Sequence, residues 1–202
     1  MKHGADRFLR GEAGLLRLAR DGAVEGHDPP QGEVLLPGSF NPVHAGHLKM
    51  LAAAEERTRR PGRFELSVVN VDKPPIGDEE VRRRLEDMRG QAPVVLTRAP
   101  TFVEKARACP GNMFLIGFDT AARLLDRRYA PPGMDVCGVL RDIARRGGRF
   151  LVAGRLFRDR FHTAEDLRIP DGWGFLFDGL PERGFREDVS STILRAKGGT
   201  HE

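Results

Sequence analysis

Two histidines three residues apart, His44 and His47, lie in the string "LLPGSFNPVHAGHLKML" (residues 35–51). Imidazole can ligate a metal, move a proton or donate a hydrogen bond to an anion. A metal needs a third ligand, and none is close in the sequence. The Glu that accompanies the paired histidines of a zinc-protease helix is also missing. The surrounding residues suit an anion better. Gly38 allows backbone conformations and a close approach that a side chain would block. Ser39 and Phe40 follow with main-chain amides that can face a ligand. Asn41 precedes a proline and is biased away from helical geometry, and Pro42 fixes the entry to the next element. His44 and His47 then share one face of a helix start, with Gly46 leaving room for a ligand. The helix N-terminus adds unpaired amides and partial positive charge. The product is a phosphate cradle with two imidazole donors. A plain turn with satisfied histidines is the alternative, and it is the expectation for either histidine taken alone.

A second cluster, "DVSSTILR" (residues 188–195), has similar chemistry. Asp188 or Ser190 can cap a helix. Ser191 and Thr192 offer hydroxyls and amides at its positive end. Arg195, one turn on, can return a guanidinium to the same phosphates. The alternative is a capped helix with a surface arginine.

The elements that must position these groups alternate along the chain. "EVLLP", "RFELSVVNV", "APVVLTR", "NMFLIGF", "RFLVAG" and "GWGFLFDG" read as strands. "GHLKMLAAAEERT", "GDEEVRRRLEDMR", "TFVEKARAC", "DTAARLLDRR", "MDVCGVLRDIARRGG" and "SSTILRAKG" read as helices. Asp78 is the expected N-cap of the second helix, with acids in its first turn. This alternation predicts an α/β fold, a Rossmann-like doubly wound parallel sheet with helices on both faces. Ligands in such sheets bind beyond the carboxyl ends of the strands, where strand order reverses. Residues 1–30 read differently. Phe8, Leu9, Leu15, Leu16 and Leu18 suggest one or two short amphipathic helices, and "EGHDPPQG" a linker. The predicted organisation is a helical appendage with linker over 1–30 and one domain over 31–202.

"GSFNPVHAGH" resembles the signature of the His-x-Gly-His nucleotidylyltransferase superfamily. Gly-Ser-Phe-Asn-Pro is most similar to nicotinamide and nicotinate mononucleotide adenylyltransferases. "DVSSTILR" resembles the Ser-Ser-Thr-x-x-Arg segment of the same family. The resemblance implies transfer of a nucleotidyl group from a nucleoside triphosphate to a phosphate acceptor, with release of pyrophosphate. It makes His44, His47 and Arg195 the catalytic candidates. Gly38, Ser39, Phe40, Gly46, Ser190, Ser191 and Thr192 become nucleotide-binding candidates. "FLIGFDT" is similar to the family's Gly-x-Asp segment and adds Asp119 near a ribose or base, with helix capping as its plainer role. "VAGR" adds Arg155, for which a surface arginine is the alternative. Lys73 in "NVDKPP" and Thr101 and Phe102 in "RAPTFVEKA" become acceptor-binding candidates, the last two in place of a Ser-Tyr-Thr segment. ATP is the implied substrate, with Mg2+ held through phosphates and water rather than by a protein cage.

Composition sets the remaining bounds. The chain has 202 residues, 31% of them charged, and a net charge of +4. Basic residues are dispersed among acids, so a basic pocket for a small phosphorylated ligand is expected before a nucleic-acid surface. Cys109 and Cys137 make neither a disulfide framework nor a metal spacing and suit a reducing cytoplasm. No apolar run nears the roughly 20 residues that span a bilayer. Membrane and nucleic-acid partners are therefore not expected, and an oligomer is compatible with the sequence. The competing functions are the same transfer to another acceptor and a non-catalytic nucleotide-binding module.

Overall fold

The computed structural model describes residues 2–69, 74–157 and 160–181. Helix α1 (Lys2–Leu9) opens the chain, and strands β1 (Leu15–Leu18) and β2 (Val24–Gly26) follow. The alternating part runs β3 (Val34–Pro37), α2 (Ala45–Thr58), β4 (Gly62–Ser67), α3 (Asp78–Met88), β5 (Val94–Thr97), α4 (Phe102–Ala108), β6 (Met113–Gly117) and α5 (Phe118–Leu124). It continues with α6 (Val136–Arg145), β7 (Arg149–Ala153), a hairpin of β8 (Arg155–Phe157) and β9 (Arg160–His162), and β10 (Phe177–Leu180).

One sheet holds eight strands in the order β10-β7-β6-β3-β4-β5-β1-β2. The six strands from β10 to β5 are parallel. The chain winds outward from β3 in both directions, which is the doubly wound arrangement that the alternation predicts. The strand order reverses between β3 and β6. Their ladder pairs Val34 with Met113 and Leu35 with Phe114. Both strands run on past it, to Pro37 and Gly117. A crevice at such a reversal is the usual ligand site of an open α/β sheet.

The two faces carry separate cores. Leu36, Phe64, Leu66, Leu96 and Leu115 belong to one, with Leu51 of α2 and Val81, Leu85 and Met88 of α3. Leu35, Val95, Phe114, Ile116, Phe150 and Val152 belong to the other, with residues of α4, α5 and α6. Adjacent residues of one strand go to opposite cores, as a period of two requires.

Two local expectations are corrected. Leu15–Leu18, expected as helix, is a strand antiparallel to β5. Its leucines alternate, Leu15 into one core and Leu16 and Leu18 into the other. Pairing with the β5 edge and burial of both faces override leucine's helix preference. Residues 15–26 thus extend the sheet by a hairpin. The N-cap of α3 is Gly77, not Asp78, which is the first helical residue. Asp78, Glu79 and Glu80 still place negative charge at the helix's positive end.

Candidate active site

The loop after β3 starts in register. Gly38 N–H donates to the Glu65 carbonyl of β4 at 3.1 Å. Phe40 then takes φ +46, a left-handed conformation uncommon for a side-chain-bearing residue. That turn sends its ring back under Gly38. A Cβ on Gly38 would stand 2.8 Å from the ring's Cζ, so glycine is required there. Phe40 is 1% exposed, and its ring stacks on Phe64 at 4.4 Å and meets the His47 ring edge-on at 5.0 Å. The Phe40 side chain therefore anchors the loop in the core. The Asn41–Pro42 peptide is cis.

His44 is the extended N-cap of α2. Its ring stacks on that of His47, with centroids 3.7 Å apart. The His44 N–H donates to His47 Nδ1 at 3.3 Å. Burial, and secondarily the charge that His44 would carry, lower the His47 pKa from 6.5 to about 4. His47 is thus neutral near pH 7. Because its Nδ1 accepts, its proton sits on Nε2. It is a neutral donor, held by the backbone of its neighbour. Gly46 between the pair is buried.

Two arginines of α3 reach the same loop. Arg84 Nη1 donates to the Ser39 carbonyl at 2.9 Å, and Arg83 Nη2 to Asn41 Oδ1 at 2.7 Å. Glu80 accepts from both guanidinium groups, and these bonds hold its carboxyl down at about 2.

Asp119 and Arg155, both expected near nucleotide, form an ion pair with each other. The β6–β7 ladder explains this, since it ends by pairing Gly117 with Ala153 and each residue lies two positions beyond. Asp119 lies in the first turn of α5, whose N-cap is Gly117. Thr101 and Phe102 sit at the start of α4. Thr101 is its N-cap in a reciprocal capping box with Glu104. Both line a cavity of about 470 Å3 with Thr120, Arg123, Arg128 and Tyr129. Lys73, Ser190, Ser191, Thr192 and Arg195 lie outside the described residues.

The sequence of the cytidylyltransferase-like family aligns with residues 35–197. The chain belongs to that family. It is also similar to a protein of Schizosaccharomyces pombe (strain 972 / ATCC 24843) named "Putative nicotinamide mononucleotide adenylyltransferase", 30% identical over 137 residues. That alignment covers 61% of this chain and 52% of the relative, so the chain matches about half of that protein's length. The matched region of the family begins inside β3 and takes in the whole loop from Gly38 to His47, so membership bears on nucleotidyl transfer.

Sequence reasoning passes over several groups at this end of the sheet. Arg123, Arg128 and Tyr129 line the cavity beside Phe102. "DRRY" carries no pattern that sets it apart from a surface turn. Buried Lys105 donates to Glu65 Oε2 at 2.6 Å and to the Ala99 carbonyl at 2.9 Å. Thr97 donates to the other oxygen of Glu65. The place of Lys105 four residues after the cap of α4, on the face toward the sheet, is the one signal that marks it. Among the described residues, no three His, Cys, Asp or Glu side chains gather as a metal site. No helix among them is long and apolar enough to cross a membrane.

Proposed function

We propose that the protein transfers an adenylyl group from ATP to a small phosphate acceptor and releases pyrophosphate. Nicotinamide or nicotinate mononucleotide is the acceptor, and the product is a dinucleotide. The observation that carries the reading is the neutral, backbone-held His47 stacked on His44 where α2 begins, beside the sheet's reversal point. The name of the S. pombe relative supports the choice of acceptor.

In this reading the acceptor's phosphate oxygen attacks the α-phosphorus of ATP in line, and the bond to the bridging oxygen of pyrophosphate breaks. A phosphate monoester is already nucleophilic at neutral pH, so no general base is required. Catalysis rests on position and charge stabilisation. His47 Nε2–H donates to the triphosphate as charge gathers on the leaving oxygens, and His44 caps the same helix end. The main-chain amides at Ser39 and Phe40 add donors. Arg195, with Ser190, Ser191 and Thr192, is assigned to the β- and γ-phosphates. Mg2+ would be held by the triphosphate and water rather than by a cage of this chain's side chains, and would supply charge neutralisation there. The cavity at Thr101 and Phe102 is assigned to the acceptor, since it offers aromatic surface beside guanidinium groups. Lys73 is assigned to the same acceptor.

The test is pyrophosphate release with Mg·ATP and with Mg·CTP across phosphate acceptors, the two mononucleotides first. Release with ATP and a mononucleotide is expected. Release only with CTP, or only with another phosphate, transfers the reading to a relative with a different substrate. ATP binding without release from any acceptor overturns it in favour of a nucleotide-binding module.

A further inference from the structure

The amides of the phosphate loop serve only if they are aimed, and the aiming group lies outside the histidine string. The Ser39–Phe40 peptide is trans and planar, so its C=O and N–H point in opposite directions. Arg84 fixes that C=O by a 2.9 Å hydrogen bond. Arg84 is itself fixed, because its Nε donates to Glu80 Oε1 at 2.7 Å and its side chain is 12% exposed. Helix α3 joins β4 to β5, so it lies on the β4–β5 side of β3. Across a trans peptide the Phe40 N–H points away from the gripped carbonyl. Among the described residues no hydrogen-bond acceptor meets that N–H. The Phe40 ring, locked between Gly38 and Phe64, prevents the peptide from turning by moving the residue itself.

We propose that Arg84 is a positioning residue for nucleotidyl transfer. By holding the Ser39 carbonyl from α3, it turns the Phe40 amide into the crevice as a preformed donor for a phosphate oxygen. Arg83 grips the side chain of Asn41 and leaves no peptide oriented. The two neighbouring arginines therefore have different duties despite sharing Glu80.

The inference rests on the adenylyl-transfer reading for its kinetic arm, and it has a second arm that does not. In steady-state kinetics, Arg84→Met is expected to lower kcat about 10- to 100-fold, short of the 10²–10³ lost when a transition-state donor is deleted outright. KM for ATP should stay within about threefold, because a misaimed donor is missed most where charge develops. Arg83→Met should stay within about threefold of wild type in both constants. Arg84→Lys keeps the charge beside Glu80 but loses the planar fork that spans Glu80 and Ser39. It should match the Met variant's lowered kcat, and it carries the test if the Met variant does not fold. The second arm follows the Phe40 amide by 15N–1H NMR while inorganic tripolyphosphate is added. The wild-type resonance should move downfield, and that of the Arg84 variants should not. Full kcat in both Arg84 variants, an equal loss in Arg83→Met, or the same Phe40 shift with and without Arg84 overturns the proposal. A wild-type protein that shifts Phe40 but releases no pyrophosphate overturns the proposed function and leaves the positioning role standing.

Discussion

The two ends of the sheet are built on opposite principles. At the amino end, buried polar groups are satisfied by the protein. Arg63, 5% exposed, spends all three nitrogens on Glu33, Glu25 and the carbonyls of Leu18 and Val94. Asn112, fully buried, accepts from Glu33 N–H and donates to the carbonyls of Pro30, Cys109 and Pro110. At the carboxyl end, a loop with a left-handed phenylalanine is gripped from behind by α3. Arg84 holds the Ser39 carbonyl, and the His44 N–H occupies His47 Nδ1, which leaves the imidazole proton on Nε2. A closed network stabilises and has nothing to offer a ligand, whereas an open one keeps donors for it. The difference teaches where to look for chemistry in this molecule: the Arg63 and Asn112 networks close the amino end, and the loop from Gly38 to His47 carries a neutral imidazole donor at the other.

The largest expected effect lies at the closed end. Arg63→Met leaves Glu33 buried without its cation and two carbonyls without a donor. Breaking a buried pair from one side costs about 3–5 kcal/mol. A urea titration should show that loss, with kcat unchanged at temperatures where the variant is folded. A loss below about 1 kcal/mol would mean that the amino end is less closed than its hydrogen bonds imply.

His47→Ala tests the open end. Turnover is expected to fall about 10²–10³-fold, as for other lost transition-state donors, while the unfolding midpoint hardly moves. Near-normal kcat would remove His47 from its assigned role. Equal damage to stability and rate would erase the contrast between the two ends.

Much of this division is legible in the sequence, and the unread parts have physical reasons. The six parallel strands are short apolar runs between helical patterns, so their alternation shows. The string from Gly38 to His47 shows as well, because glycine, proline and paired histidine at a strand's end have few other uses. Leu15–Leu18 is misread because four residues carry no period of their own, and the β5 edge decides their state. The role of Arg84 is hidden because Glu80 and Arg84, four apart on a helix, read as an ordinary surface pair. Its second bond, to Ser39, exists only once β3 and α3 are brought together. Glu65 and Lys105 are hidden alike, since a charge inside "FELSVV" announces no partner 40 residues away.

Gly38→Ala probes the one place where core and site are continuous. The new methyl would lie 2.8–3.1 Å from three atoms of the Phe40 ring, and Phe64 stands behind that ring at 4.4 Å. Overpacking of this kind costs about 1–3 kcal/mol. It should also displace the Phe40 amide, so stability and kcat fall together. The combined loss distinguishes this position from both Arg63 and His47. A fall in only one of the two would show that the ring yields without carrying the loop with it.

The smallest effect is a dependence on pH. His47 has a pKa of about 4 in the fold, lowered by burial against Phe40 and Phe64 and by the neighbouring His44, and 6.5 when exposed. Above pH 6.5 neither state carries the proton, and His47 contributes no slope. Between 6.5 and 4 the unfolded chain is protonated there and the folded chain is not, so stability falls as pH falls. Below 4 both are protonated, and the slope vanishes again. Carboxylates also titrate toward the acid end, so the measurement is a difference. Urea midpoints at pH 7.5 and 5.0 are compared between wild type and His47→Gln. Wild type should lose more stability over that interval. Saturating tripolyphosphate should shrink the gap, because a bound anion favours the imidazolium that burial opposes. Equal losses in the two proteins would show that His47 is as open to water as any surface histidine, and the neutral-donor role would go with its burial.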